Sequence, residues 1–348
     1  MMSSSKQSSE SQSPHQTWLN RPTRTIFIIG SGFTKAVFPE APINNELMSR
    51  LVARNKSTKQ LAELCKKNGS ETKDIERALT FLDLLGEDCK DLRKMVESEI
   101  ADELKFFSWD YIPEASREWV GEFSKNAFYR DDVAVCLNYD LLLETLLRKQ
   151  NMWSSSGGYG VQIPIAGAFV GDFDFSEEKE NSLVTVLKIH GSINFSHGNS
   201  KAFKGVRANC VSIDVPNIYK FRSEENVAII APSYVKRPPV EFSYMMLDAL
   251  SKADQAKNMI VLGCGLRPED PFLSLLVTRF FRSSGYETKE MLICGNDADS
   301  IRSRVVGYWN TNQKISPLIK TLPKNLDKNS MQEYLCRFRC LREDRTKP

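Results

Sequence analysis

Thr25-Ile26-Phe27-Ile28-Ile29-Gly30-Ser31-Gly32 is an unbroken apolar, mostly β-branched run that stops at a pair of glycines. Such residues favour a pleated strand, and a run without polar alternation belongs to a strand covered on both faces. It reads as the first, central strand of a sheet. Comparable runs follow at Val133–Leu137, Val184–Ile189, Val227–Ile230, Met259–Leu262 and Met291–Cys294. Helical segments are expected between them at Asp140–Lys149, Pro239–Lys257, Asp270–Arg282 and Asp297–Gly307. Short apolar strands alternating with helices predict an α/β fold with a doubly wound parallel, Rossmann-like sheet.

The alternation is interrupted once. From about Pro42 to Tyr129 the apolar residues recur at three- and four-residue spacing: Ile75, Leu79 and Leu82, then Leu92, Val96, Ile100 and Leu104. That spacing is helical, so residues 42–130 read as a helical insertion module. Residues 1–16 are rich in Ser and Gln and read as a disordered tail. The body spans 17–310, and 311–348 form a basic C-terminal extension expected to be peripheral. Two stretches, Asn151–Asn181 and Ser196–Arg222, read as irregular site-covering loops.

Composition narrows the function classes. A net charge of +3 on 348 residues gives no electrostatic reason for nucleic-acid binding. No segment approaches the ~18 apolar residues of a membrane span, and the N-terminus lacks a secretory apolar core. The eight cysteines form no CxxC pair. Cys136, Cys264 and Cys294 sit in or beside apolar runs as small core residues, and reduced thiols in a cytoplasmic protein are expected. No metal site is predicted: Cys336 and Cys340 lie one helical turn apart without further ligands.

Ligands of an open parallel sheet bind outside the carboxyl ends of its strands, and here those ends carry chemistry. Gly30-Ser31-Gly32 supplies two glycines of a dinucleotide fingerprint, which let the backbone turn tightly and approach a pyrophosphate; the third position is Lys35. Ser31 and Thr34 either donate to phosphate or cap the following helix. Asn138, after the second run, can hold ribose hydroxyls or a water, while Asp140 also fits a helix cap. His190, one of only three histidines, ends a buried run before Gly191-Ser192 and is either a catalytic imidazole or a satisfied core residue. His15 and His197 read as surface residues. Gly263-Cys264-Gly265 can bring backbone amides to a phosphate, and Asn296-Asp297 offers polar groups to an adenosine ribose or a turn and cap. Asp270, after Pro268, reads as a helix cap.

Taken in order, Gly30-Ser31-Gly32-Phe33-Thr34, Asn138-Tyr139-Asp140, Lys188-Ile189-His190-Gly191, Gly263-Cys264-Gly265 and Asn296-Asp297 resemble the successive motifs of the sirtuin (SIR2-like) family, over about Thr25 to Gly307. Ile229-Ile230-Ala231-Pro232 with Lys236-Arg237-Pro238 also resembles a segment of its bacterial branch. The resemblance implies His190 as catalytic base, Asn138 as the residue positioning ribose and water, and Asp140 in support on the nicotinamide side. It implies Gly30, Ser31, Gly32 and Thr34 around the phosphates, and Gly263, Cys264, Asn296 and Asp297 around the adenosine half. Protein-deacylating members carry a zinc module with two CxxC pairs beyond the histidine; here that stretch holds only Cys210. The chain is thus similar to the branch of antiphage-defence NADases without the zinc module, which implies NAD⁺ as substrate, no zinc, hydrolysis to ADP-ribose and nicotinamide, and control by homo-oligomerisation or by a partner ATPase or sensor protein. A non-catalytic NAD or ADP-ribose sensor and an NAD-dependent protein deacylase are the alternatives.

Overall fold

A computed structural model of the chain describes residues 25–155, 157–161, 165–166, 183–200, 203–209, 226–229, 240–267, 270–282, 288–309 and 315–343. The N-terminal tail with His15, most of the Asn151–Asn181 loop, Cys210, Ile230–Pro232 and Lys236–Pro238 lie outside these residues.

Six parallel strands form the main sheet: β1 (Thr25–Ile29), β2 (Val133–Cys136), β4 (Thr185–Leu187), β8 (Asn258–Leu262), β9 (Glu290–Cys294) and β10 (Ile319–Leu322). Their spatial order is β10-β9-β8-β1-β2-β4. The chain winds outward from β1 to β2 and β4, then returns to the other side of β1 as β8, β9 and β10. That is the doubly wound arrangement read from the sequence, and the order reverses between β1 and β8. Phe27 and Ile26 are fully buried, as are Ala134, Val135, Ile260 and Val261, because helices flank both faces of the sheet. Unalternated apolar runs are the sequence consequence of that burial.

Helix α1 (Ser31–Val37) follows β1 directly. The insertion then supplies α2 (Asn44–Arg54), α3 (Lys56–Lys67), α4 (Ile75–Leu85), α5 (Lys90–Leu104) and α6 (Glu114–Ala127). In α5 the buried stripe contains Leu92, Val96, Ile100 and Leu104, the residues whose spacing marks the helix in the sequence. Beyond β2 come α7 (Leu142–Lys149), α8 (Val240–Gln255), α9 (Pro271–Arg282) and α10 (Ala298–Trp309).

Three expectations are corrected. The run at Val227 does not enter the parallel sheet. It forms β7 (Asn226–Ile229) in a second sheet, ordered β3-β6-β5-β7, with β3 (Ile165–Ala166), β5 (Gly191–Ser200) and β6 (Phe203–Asn209), where β7 pairs antiparallel with β5. A short apolar run records burial, not which sheet provides it, and here Arg93 of α5 donates to the Ile229 carbonyl at 3.1 Å. Second, the start of the stretch read as irregular, Ser196 to Asn209, is largely hairpin: β5 and β6 pair from Phe195↔Ala208 to Ser200↔Phe203. Its Gly, Ser, Asn and Lys content hides strand character from an apolar-run reading. Third, the C-terminal segment is not peripheral. It contributes β10, in register with β9, and α11 (Met331–Glu343), whose Phe338 ring lies 5.9 Å from Phe27 and 6.1 Å from Phe123. Arg342 of the same helix donates to the buried carboxylate of Asp132 at 2.6 Å and covers the Tyr129 ring at 4.1 Å.

Among the described residues no helix is long and apolar enough to cross a membrane. Phe338→Ala removes a fully buried ring between the C-terminal helix and the first strand, so urea unfolding should show a loss of about 3–5 kcal/mol. A change below ~1 kcal/mol would return the segment to peripheral status.

Candidate functional site

The reversal point of the sheet is built by close approach of two loops. Gly32 donates its amide to the Gly263 carbonyl at 2.9 Å, and Gly30 donates to Leu262 at 3.1 Å. Gly263 has φ +60°, and a Cβ there would meet the Phe33 nitrogen at 2.2 Å. Only glycine fits such a position. The glycines after β1 and β8 thus lock the two loops together, and the same loops face a cavity of about 930 Å³. That is near the upper end of the ~300–1,000 Å³ found for small-molecule sites.

The cavity brings the sequence-predicted residues together. Gly30, Ser31, Gly32, Asn138, Asp140, His190, Gly263, Cys264, Asn296 and Asp297 all line it. Asn296 and Asp297 are exposed, whereas Asn138, Asp140 and His190 are buried. Thr34 is the exception: its side chain is buried behind the cavity wall, where it accepts from Asn138 Nδ2 at 2.9 Å and donates to Asp140 Oδ2 at 2.8 Å. A hydroxyl so engaged organises its neighbours and does not cradle phosphate.

Asn138 gives its amide hydrogens to Thr34 and to the Gly30 carbonyl, the latter at 3.1 Å. Its carbonyl oxygen is left as the atom able to accept from a water or a sugar hydroxyl. Both oxygens of Asp140 are committed, Oδ2 to Thr34 and Oδ1 to the Leu142 amide at 3.1 Å. Burial raises its pKa. Asp140 thus holds Thr34 with one oxygen and, just ahead of α7, the helix's first amide with the other. Lys188, two residues before His190 and wholly buried, donates to the Asp140 backbone carbonyl at 2.6 Å and lies 3.1 Å from Glu144. Burial works against its charge, but the acidic groups around it, Cys136, Glu144 and Asp140, raise its pKa.

His190 sits between β4 and β5. The next residue, Gly191, has φ +84°, and a Cβ there would strike the Ala228 carbonyl oxygen at 2.1 Å. His190 Nε2 lies 3.2 Å from Asp270 Oδ2, while Nδ1 is buried and has no hydrogen-bond partner among the described residues. Burial disfavours the charged ring, yet the hydrogen bond and charge of Asp270, helped by the charge of Glu76, outweigh it and raise its pKa. Asp270 shows the reciprocal effect: burial pushes its pKa up, and His190 with the Leu273 and Phe272 amides brings it below the usual carboxylate value. Asp270 caps α9 through Oδ1, at 3.0 Å from the Phe272 amide and 3.1 Å from that of Leu273, and holds the imidazole through Oδ2.

The sequence reading took Asp270 for a cap alone and missed the contribution of the insertion. Asp74, Glu76 and Arg77 at the start of α4 reach the cavity, as do Arg267, Arg304 and Asp327. Glu76 has its pKa raised, by burial first and then by the charges of Asp74 and Asp270. The Cys264 thiol accepts from the Leu266 amide at 3.4 Å, and burial lifts its pKa to about 12, so it is a structural thiol of the cavity wall.

No protein-family model matches the chain, and no curated protein matches it. Among solved structures, a mutant Sir2 homologue in complex with ADP ribose is similar over 93% of this chain and 95% of its own, with 13% identity and a TM-score of 0.41. A Sir2 homologue–NAD complex is similar over 94% of each chain, with 11% identity and a TM-score of 0.42. Sir2Tm bound to a propionylated peptide is similar over 92% of this chain and 94% of its own, at 10% identity and a TM-score of 0.36. Likenesses this remote decide nothing about the chemistry of this cavity, which rests on its own residues.

The Asp270–His190 contact predicts a measurable titration. With the folded pKa above the 6.5 of a free imidazole, the charged ring adds stability below that value, and the contribution fades as pH rises through the raised pKa. In Asp270→Asn the His190 resonances should titrate at lower pH by NMR. An unchanged midpoint would show that the carboxylate does not control the ring.

Proposed function

We propose that the chain is an NAD⁺ hydrolase of SIR2-like type, cleaving the bond between nicotinamide and ribose to give ADP-ribose and nicotinamide. The observation that carries the reading is the pairing, on neighbouring strand ends, of an imidazole and a carboxamide. Among the described residues each keeps one uncommitted acceptor atom, and both line a cavity at the reversal point of a parallel sheet. Ligands of such sheets bind there.

The chemistry follows from those two acceptors. The pyridinium ring leaves with the C1′–N bonding pair as neutral nicotinamide, so no general acid is required. The barrier lies in the oxocarbenium-like ribose, as in other glycosidic cleavages. A water oxygen bonds to C1′, and its proton goes to a base. When His190 is neutral, its Nε2 hydrogen donates to Asp270, which leaves the lone pair on Nδ1. That nitrogen takes the proton from the water or from a ribose hydroxyl, and Asp270 stabilises the imidazolium formed. The Asn138 carbonyl oxygen orients the water. A positioned base is worth ~10²–10⁴-fold.

On this reading the adenosine half lies toward Asn296 and Asp297, and the backbone of Gly30–Gly32 and Gly263 borders the pyrophosphate. NAD⁺ is substrate, and no zinc is required by these steps. Depletion of NAD⁺ in antiphage defence, in a cytoplasmic oligomer or beside a partner ATPase or sensor, is the role that the sequence resemblance supports.

Purified His190→Ala and Asn138→Ala should each release nicotinamide from NAD⁺ at least ~100-fold more slowly than the parent, by chromatography, with unchanged circular dichroism. Full turnover by both would remove the mechanism, and tight NAD⁺ binding without any release by the parent would select a sensor instead. In the parent, the acid limb of the rate profile should have its midpoint above the 6.5 of free imidazole, because the neutral ring is the active form.

A further inference from the structure

The charges around the main cavity are unevenly placed. Its wall carries Asp74, Glu76, Asp140, Asp270, Asp297 and Asp327 against four permanent cations, Lys35, Arg77, Arg267 and Arg304. A wall with more carboxylates than cations repels phosphate except where the cations gather. Three of the four gather in one place. Arg77, Arg267 and Arg304 also line a second cavity of about 480 Å³, where Lys73 joins them and Asp74 is the one acidic lining residue among the described residues. Asp74 is already engaged there, 2.8 Å from Arg267. Asn45 and Thr72 add side-chain hydrogen-bond donors to the same wall.

Arg304 shows that donors remain to be used. Its Nη2 donates to the Gly265 carbonyl at 2.8 Å, which fixes the guanidinium to the loop after β8, but its Nε is buried and has no partner among the described residues. A buried, unpaired donor on a cation costs free energy unless a ligand satisfies it. The cavity also draws on separate parts of the fold: Asn45 from α2, Lys73 and Arg77 at the entry to α4, Arg267 after β8 and Arg304 on α10. Guanidinium groups converging from different elements suit the tetrahedral, multiply charged oxygens of a phosphate.

We propose that this second cavity is a phosphate subsite, which takes a phosphate monoester beside the main cavity and makes the helical insertion part of ligand recognition. The phosphate has two possible sources with one chemistry. It is carried on a ribose of the dinucleotide, in addition to the pyrophosphate, or it is free phosphate bound next to the dinucleotide. Only the first source rests on the nucleotide reading of the main cavity.

The test is calorimetric binding of NAD⁺, NADP⁺ and inorganic phosphate to the full chain and to Lys73→Glu. Lys73 is exposed and lines the second cavity alone, so its substitution spares the core. A tethered phosphate predicts that NADP⁺ binds about tenfold more tightly than NAD⁺, and that Lys73→Glu removes this advantage while NAD⁺ affinity stays within about twofold. A free phosphate predicts equal affinity for the two dinucleotides, together with inorganic phosphate binding that weakens about tenfold in Lys73→Glu. If neither dinucleotide binds but phosphate still binds in a Lys73-dependent way, the subsite stands and the nucleotide reading of the main cavity falls. If NADP⁺ gains nothing over NAD⁺ and phosphate binding is absent or indifferent to Lys73→Glu, the subsite is overturned.

Discussion

A fully buried ammonium group dictates the geometry of this cavity. Lys188 Nζ has no access to water and must be satisfied inside the protein. It reaches the Asp140 carbonyl and the Glu144 carboxylate across the gap between β4 and β2. That requirement fixes the segment leading to His190 against the loop that carries Asn138. From there the constraint passes inward through side chains. Asp140 is bound by Thr34, Thr34 by Asn138, and Asn138 by the Gly30 carbonyl. The loop after β1 is locked in turn to the loop after β8 by the Gly32–Gly263 contact. Four strand ends are tied by groups that each have a structural obligation, which is why Asn138 and His190 are held with few rotameric alternatives. A buried ion pair contributes little net stability in general; here its consequence is placement.

The sequence showed the parallel sheet because its strands are short, apolar on both faces and separated by amphipathic helices. Those properties are local and survive in the one-dimensional pattern. The residues at the strand ends were legible for the same reason: fold topology puts the carboxyl ends of parallel strands on one edge, so Gly30, Asn138, His190, Gly263 and Asn296 had to converge once the strands were placed. Thr34 was misjudged by a small angular difference. One helical turn into α1 it faces the interior, where Asn138 and Asp140 need a hydroxyl, and not the cavity.

What stayed hidden depends on long-range placement. Asp270 carries an ordinary cap signature, and nothing in its neighbourhood of the sequence shows that its second oxygen meets His190, eighty residues earlier. Asp74 likewise caps α4, yet its other oxygen pairs with Arg267. In both residues one carboxylate serves two masters, and only the first is local. The strand β10 was hidden because Ile319-Lys-Thr-Leu322 is half polar: at the edge of the sheet its two ends are buried while Lys320 is exposed and Thr321 half-buried. The hairpin of β5 and β6 was hidden by composition, since Asn194 and Ser196 are buried there without being apolar.

The distribution of charge gives the cavity a direction. Near His190 lie Asp270 and Glu76, and the groups that shift the imidazole upward are these same carboxylates. A negative field at that end disfavours phosphate and favours a cation. On the proposed reaction it attracts the pyridinium ring of the substrate and, more importantly, the positive charge that spreads onto the ribose as the bond to nicotinamide breaks. Fixed charges aimed at a developing charge lower a barrier more than they tighten ground-state binding. Arg77, Arg267 and Arg304 line the part of the wall shared with the second cavity, where they can offset phosphate charge. Glu76 and Arg77 are adjacent on α4, one contributing to each field. The inserted module therefore polarises the cavity along its length, and it does so from residues that no strand-end argument would have selected.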